Sequence, residues 1–227
     1  NEARIICGSQ GAGMANTSYQ QTLAYARERV QGQKMTDRSP DAPQVSIIEH
    51  PDVRRNLMIM KSLSEGMRAL LIQTSYYHDK SVHSEDEEER GRYQGLLELL
   101  TPICKAYATD FAFWVTERGI QVLGGYGYIS EYPVEQYLRD VKIAGLYEGT
   151  NGIQALDLLG RKMRTQNGGL FLNWLQETNG MLQSFEDHPR LSSLVGAVDS
   201  AKNALCQAAF SLPGTGKSDP DLFLLQA

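Results

Sequence analysis

The sequence predicts an all-α fold, an up-and-down helical bundle with extra helices after it. Three observations carry this expectation. Apolar residues recur at helical spacing through most of the chain. Capping residues, glycines and prolines punctuate those stretches where helices should start and stop. The alternating, β-branched runs that a sheet requires are absent.

The first helix is expected over about Arg4 to Val30, where Ile5, Met14, Tyr19, Leu23 and Val30 fall near one face. Gly8, Gly11 and Gly13 lie inside it. Glycine weakens a helix, so three of them point to close approach of another backbone or of a ligand. Gln33 to Pro51 reads as a loop, with Pro40, Pro43 and Pro51 as breaks. A second helix, about Asp52 to Tyr77, carries the stripe Val53, Leu57, Met60, Leu63, Met67, Leu70 and Leu71. Ser84 with Glu87 fits a capping box, and the acids Glu85 to Glu89 suit a helix start better than a metal site beside His83.

A third helix is expected over about Glu85 to Leu100. Thr101-Pro102 then reads as an N-cap followed by proline at the first helical position. The fourth helix runs from there to about Leu123, marked by Ile103, Tyr107, Phe111, Trp114 and Val115, and stops at Gly124-Gly125. A short helix is expected over Val134 to Val141. From Asn151 the period resumes through Ile153, Leu156 and Leu159 to about Thr165, and Asn167-Gly168-Gly169 breaks it. Leu170 to Phe185 is the next helix, turned by Asp187-His188-Pro189. Leu191, Leu194, Val195, Val198, Ala201 and Leu205 give the last apolar stripe, ended by Pro213-Gly214-Thr215-Gly216. This divides the chain into a bundle over residues 1–165 and a helical extension over 166–227.

The totals narrow the function. The 227 residues are 41% hydrophobic and 22% charged with a formal charge of −5, an ordinary globular balance without the basic field that nucleic acid requires. No uninterrupted apolar stretch approaches the twenty or so residues of a membrane span. Cys7, Cys104 and Cys206 lie far apart, which favours a reducing compartment over a disulfide framework. His50, His78, His83 and His188 lack metal-ligand spacing. The chain opens at Asn1 without methionine and closes on the apolar run Leu222 to Leu225, so it reads as a piece of a longer polypeptide.

The chemistry concentrates between Gln121 and Met163. In order stand Gln121, Gly124-Gly125, Tyr126-Gly127-Tyr128, Glu131-Tyr132-Pro133, Arg139-Asp140 and Tyr147-Glu148-Gly149-Thr150. On the residues alone, Glu148 is a carboxylate at a helix N-terminus, Gly124-Gly125 a C-cap and Gln121 a surface side chain. Together, these elements resemble the C-terminal signature of the acyl-CoA dehydrogenase family. Asn1, Arg4, the helix ending in Tyr25-Ala26-Arg27-Glu28-Arg29, His50-Pro51 and Glu65 to Arg68 extend the resemblance over about residues 1–160. The wording from Glu148 to Met163, with a further helical extension, resembles the subgroup that includes 3-methylmercaptopropionyl-CoA dehydrogenase.

The resemblance implies an FAD-dependent enzyme that takes a proton from Cα of an acyl-CoA and passes a hydride from Cβ to the flavin. Glu148 would be the base, made stronger by partial desolvation. The thioester oxygen needs fixed donors as charge develops on it, and Gly149 lets a ligand approach the backbone. Arg4 would lie along the acyl-CoA path. Arg29, Gln121, Gly124, Gly125, Thr150 and Asn151 would serve FAD, with Arg29 often facing the pyrophosphate of a neighbouring subunit, and Thr150 and Asn151 opening a helix whose free N–H groups face the cofactor. Arg139-Asp140 would be a structural salt bridge. Three departures stand out: Arg29 is followed by Val30-Gln31-Gly32, one residue short and without the family's usual aromatic, and Pro51 and Gly152 each replace a glutamine.

Further implications are an electron-transfer flavoprotein as acceptor, a homo-oligomer (dimer or tetramer), and a cytoplasmic or mitochondrial-matrix location. The family's N-terminal helical and middle β-domains are not within these residues, so the chain alone is expected to bind FAD weakly or not at all and not to turn over. Two other readings remain open: a non-catalytic helical assembly module, and an acyl-CoA oxidase that uses the same base but delivers electrons to oxygen.

Overall fold

A computed structural model describes residues 2–37, 39–219 and 221–222. Asn1 and the run Phe223 to Leu225 lie outside the described residues. Among the described residues, seven α-helices predominate: α1 (Glu2–Glu28), α2 (Pro51–His83), α3 (Glu87–Leu123), α4 (Val134–Lys142), α5 (Asn151–Leu156), α6 (Gly169–Ser184) and α7 (Ser192–Ser218). The all-α expectation holds, with one addition. Between α1 and α2, β1 (Val30–Gln33) pairs antiparallel with β2 (Gln44–Ser46), in register Val30 to Ser46 and Gln33 to Gln44. Strands this short and polar leave no period for sequence patterning to detect.

The chain folds as two compact units, each discontinuous in sequence. One comprises residues up to Tyr76 together with Ile103–Asn151; the other comprises Tyr77–Pro102 and residues from Gly152 onward.

The first unit holds the core in which α1, α2 and α3 meet. Leu57, Met60 and Met67 of α2 and Ala108, Ala112 and Val115 of α3 are buried there. The α2 stripe therefore sits where its spacing placed it. The buried side of α1 differs from expectation: it is made of Cys7, Gly8, Gly11, Ala15, Ser18, Thr22 and Ala26, whereas Met14, Tyr19 and Leu23 are only partly buried and Val30 is exposed. These small residues bring α1 and α3 into close contact. A Cβ on Gly8 would lie 2.8 Å from the Cys104 carbonyl oxygen, and one on Gly11 would lie 2.8 Å from that of Ala108. The expected close approach is therefore to a backbone at Gly8 and Gly11, while Gly13 has open space.

Three boundary expectations are corrected. Thr101-Pro102 does not start a helix; α3 runs through it without a break. Thr101 is buried and its hydroxyl donates to the Leu97 carbonyl, 2.7 Å away, so it turns inward instead of capping. The missing Pro102 N–H removes only one ladder bond from a helix of 37 residues. The capping box at Ser84 does not form either. Asp86 caps α3, accepting from the Glu88 N–H at 3.0 Å, and the Ser84 hydroxyl is buried without a hydrogen-bond partner among the described residues. Finally, α7 continues past Pro213 to Ser218.

In the second unit, Leu99, Leu170, Phe171 and Ala209 form a smaller core. The break before α6 is a left-handed run, with φ of 52° at Gln166, 56° at Asn167 and 89° at Gly168. The stripe expected to bury α7 is largely exposed: Leu194, Val198 and Leu205 face outward, and the line from Lys202 through Cys206 to Ala209 turns inward.

Candidate active site

The signature residues of the first unit form two clusters. The first is the turn that carries Glu148. Val134 and Val141, one heptad apart and fully buried, fix α4 through two turns. A 3-10 turn over Ile143–Gly145 follows, and the Leu146 and Tyr147 N–H groups both donate to the Ile143 carbonyl. Glu148 then adopts φ 56° and Gly149 φ 84°. Gly149 reaches this conformation freely, whereas a glutamate there costs about 1–2 kcal/mol. Strain of this kind persists only where neighbours hold it, and it gathers at functional sites.

The turn is held at both ends. On one side, the Tyr147 hydroxyl hydrogen-bonds the Gln10 amide oxygen on α1 and lies against Cys7. Burial, then the Cys7 contacts and the adjacent Glu148 charge, push the Tyr147 phenol above its usual range. On the other side, the Asn151 side chain is clamped to α3. Its Nδ2 donates to Asp110 Oδ1 at 2.7 Å and to Thr109 Oγ1 at 3.0 Å, and its Oδ1 accepts from Lys105 Nζ at 2.8 Å. Glu148 itself is exposed between these anchors. Asn151 spends its amide on the bundle, and α5 runs only six residues before a π-helical turn at Asp157–Arg161.

The second cluster surrounds the end of α3. Gly124, at φ 63°, terminates the helix as a left-handed C-cap, and a Cβ on either Gly124 or Gly125 would meet nothing within 4 Å. Gly127 is different: a Cβ there would come within 2.6 Å of the Ile120 carbonyl, so only glycine fits between Tyr126 and Tyr128. Tyr25, Tyr126 and Tyr132 meet with ring centroids 5.5–6.4 Å apart. The Arg29 guanidinium lies 5.4 Å from the Tyr126 ring centroid. These residues, with Leu123 and Val134, wall a cleft of about 380 Å³. Arg29 Nε is buried there without a hydrogen-bond partner among the described residues.

The expected residues thus fall into groups. Glu148, Gly149, Thr150 and Asn151 share the turn; Arg29 faces the cleft whose neighbouring walls flank Gly124 and Gly125; Gln121 is exposed on α3; Arg4 is half-buried on α1. Arg139 and Asp140 form no ion pair, and Asp140 instead accepts from Gln136 Nε2 at 3.1 Å. Adjacent residues on a helix point some 100° apart, so a direct pair is unfavourable. Lys105, Gln10 and Cys7 were not singled out in the sequence. Only Lys105 left a signal: a charge within the otherwise apolar and small run Ile103 to Ala108.

Comparison with known proteins identifies the family of the chain. Residues 1–163 match the family model described as acyl-CoA dehydrogenase, C-terminal domain. A butyryl-CoA dehydrogenase of Syntrophomonas wolfei is 39% identical over all 227 residues, which span 37% of that protein. The 3-methylmercaptopropionyl-CoA dehydrogenase of Ruegeria pomeroyi is 45% identical over 166 residues, 73% of this chain and 28% of that protein. Among solved structures, Caenorhabditis elegans ACDH-11 in complex with C11-CoA superposes with a TM-score of 0.80 over 95% of this chain and 34% of its own, at 21% identity, a likeness of fold. The chain therefore spans about a third of the length of these relatives, and it belongs to the acyl-CoA dehydrogenase family through that family's C-terminal domain.

Proposed function

We propose that the whole protein is an FAD-dependent acyl-CoA dehydrogenase in which Glu148 removes the α-proton of an acyl-CoA thioester. The observation that carries this reading is the left-handed Glu148-Gly149 pair, held between the Tyr147 and Asn151 anchors. A solvated carboxylate with no task has no reason to occupy a strained backbone held from both sides. The Glu148 side chain would take the proton, and its own N–H would donate to the thioester oxygen as negative charge develops there. Gly149, without a side chain, would let the thioester approach the backbone.

The residues of the second cluster fit a flavin nucleotide. Arg29 Nε is a buried donor in need of an acceptor, which a pyrophosphate oxygen supplies, and the open backbone at Gly124-Gly125 admits a flat ligand. Gln121 and Thr150 would add polar contacts. The bound flavin supplies the hydride acceptor for Cβ. The named relatives support acyl-CoA as the substrate class, and an electron-transfer flavoprotein would be the electron acceptor.

Replacing Glu148 by Gln in the whole protein tests the reading. Flavin content should be retained while reduction of the flavin by acyl-CoA falls about 10²–10⁴-fold. Unchanged reduction would leave the bundle an assembly role only, and hydrogen peroxide formed in step with substrate would instead make the enzyme an oxidase.

A further inference from the structure

We propose that Lys105 is a positioning residue that sets the geometry of the Glu148 turn by holding Asn151 Oδ1. This rests on the reading of Glu148 as the base. Lys105 is fully buried on α3, and its ammonium donates to Asn151 Oδ1 at 2.8 Å. Burial alone pushes the lysine below its usual range, an effect opposed by Cys7 and Asp110 nearby. A buried charge that serves only packing is readily replaced by an apolar side chain of similar volume, so its presence asks for a purpose.

The purpose is visible in the donor and acceptor pattern. The Thr109 hydroxyl donates to the Lys105 carbonyl at 2.8 Å, which leaves its oxygen as an acceptor. Asp110 Oδ1 accepts from Asn151 Nδ2 at 2.7 Å and Lys105, a donor only, faces Oδ1, while the Thr109 hydroxyl lies within reach of both amide atoms, 3.0 Å from Nδ2 and 3.4 Å from Oδ1. A flipped Asn151 amide would set donor against donor and acceptor against acceptor. One orientation is permitted, and it fixes the first residue of α5, three residues after Glu148. The backbone between them is the left-handed Glu148-Gly149 step, whose dihedrals set where the carboxylate stands. Lys105 thus acts on the base through Asn151, 46 residues away in sequence, without touching substrate.

The test uses the whole flavoprotein with Lys105→Met, Asn151→Ala and Glu148→Gln variants. In Lys105→Met the maximal rate of flavin reduction should fall about 10–100-fold, the penalty of a base displaced by a fraction of an ångström, with KM, flavin content and thermal midpoint nearly unchanged. Asn151→Ala cuts the same link from the other side and should lose a similar factor in maximal rate, with a lower thermal midpoint because it strands the buried Lys105 ammonium; either variant keeps the test open should the other fold poorly. In the Glu148→Gln background, Lys105→Met should cause no additional loss. A wild-type maximal rate in either folded variant, with Glu148→Gln inactive, overturns the positioning role alone. An active Glu148→Gln enzyme overturns the base and the positioning role with it.

Discussion

Gly8 and Cys104 face each other so closely that a Cβ on the glycine would sit 2.8 Å from the cysteine's carbonyl oxygen, a distance that real Cβ atoms do not tolerate. The contact explains why α1 carries glycine on its buried side despite the cost to the helix. Relief requires α1 to shift from α3, because the obstacle is backbone and not a flexible side chain. Gly8→Ala should therefore destabilise the domain by about 1–3 kcal/mol, and Gly11→Ala, which meets the Ala108 carbonyl at the same distance, should behave alike. Gly13 is exposed with nothing within 4 Å, so Gly13→Ala should stabilise by about 0.5–1 kcal/mol. Urea unfolding of the three variants checks the contrast. If all three move stability in the same direction, backbone contact is not what selects these glycines.

The same contact region carries an alkaline limit on stability. Burial pushes the Cys104 thiol from an ordinary 9.0 up to about 11, opposed in part by the Thr74 hydroxyl 3.0 Å away. A raised folded pKa means the unfolded chain loses its proton first. Stability from this group is complete below pH 9 and declines as pH rises toward 11, by roughly 2–3 kcal/mol over the window. Cys104→Ala should lower stability at neutral pH through the lost packing but flatten the decline between pH 9 and 11. Unfolding free energies across that range decide the matter, and an equally steep decline in the variant would assign the effect to other groups.

How much of this was legible in the sequence depended on the range of the interaction. The α2 stripe was plain because its buried side chains are large and repeat on one helix. The α1 face was misread because close packing selects small residues, and Ser18, Thr22 and Gly11 carry no hydrophobic signal. Thr101-Pro102 resembled a helix start because local rules do not register the surrounding burial that carries α3 through a proline. At the candidate site, Glu148 and the glycines stand out in the sequence by their fixed order. Their anchors do not: Gln10 lies 137 residues from Tyr147, and Lys105 lies 46 from Asn151. No local pattern encodes a pairing between a lysine in one helix and the first residue of another.

The second unit offers its own test, in the pair between Lys162 on the segment before α6 and Glu98 on α3. Lys162 Nζ lies 2.9 Å from Glu98 Oε2, and its side chain is 4% exposed against 33% for the glutamate. Burial by itself would raise the Glu98 carboxyl, but the hydrogen bonds from Lys162 and Gln94 and the lysine's charge outweigh it and hold the group below its usual 4.5. A lowered folded pKa means that the pair's stabilisation is present above pH 4.5 and is lost as pH falls through the lowered value. Glu98→Gln leaves a buried ammonium facing a neutral amide and should cost about 1–3 kcal/mol at pH 7. Lys162→Met removes the hydrogen bond and charge that most lower the carboxyl, so Glu98 should then titrate above its wild-type value. The acid limb of the stability curve should begin at higher pH in Lys162→Met and lose its Glu98 component in Glu98→Gln. Chemical unfolding between pH 3 and 7 separates the three proteins, and superimposable acid limbs would show that the pair contributes nothing to folding.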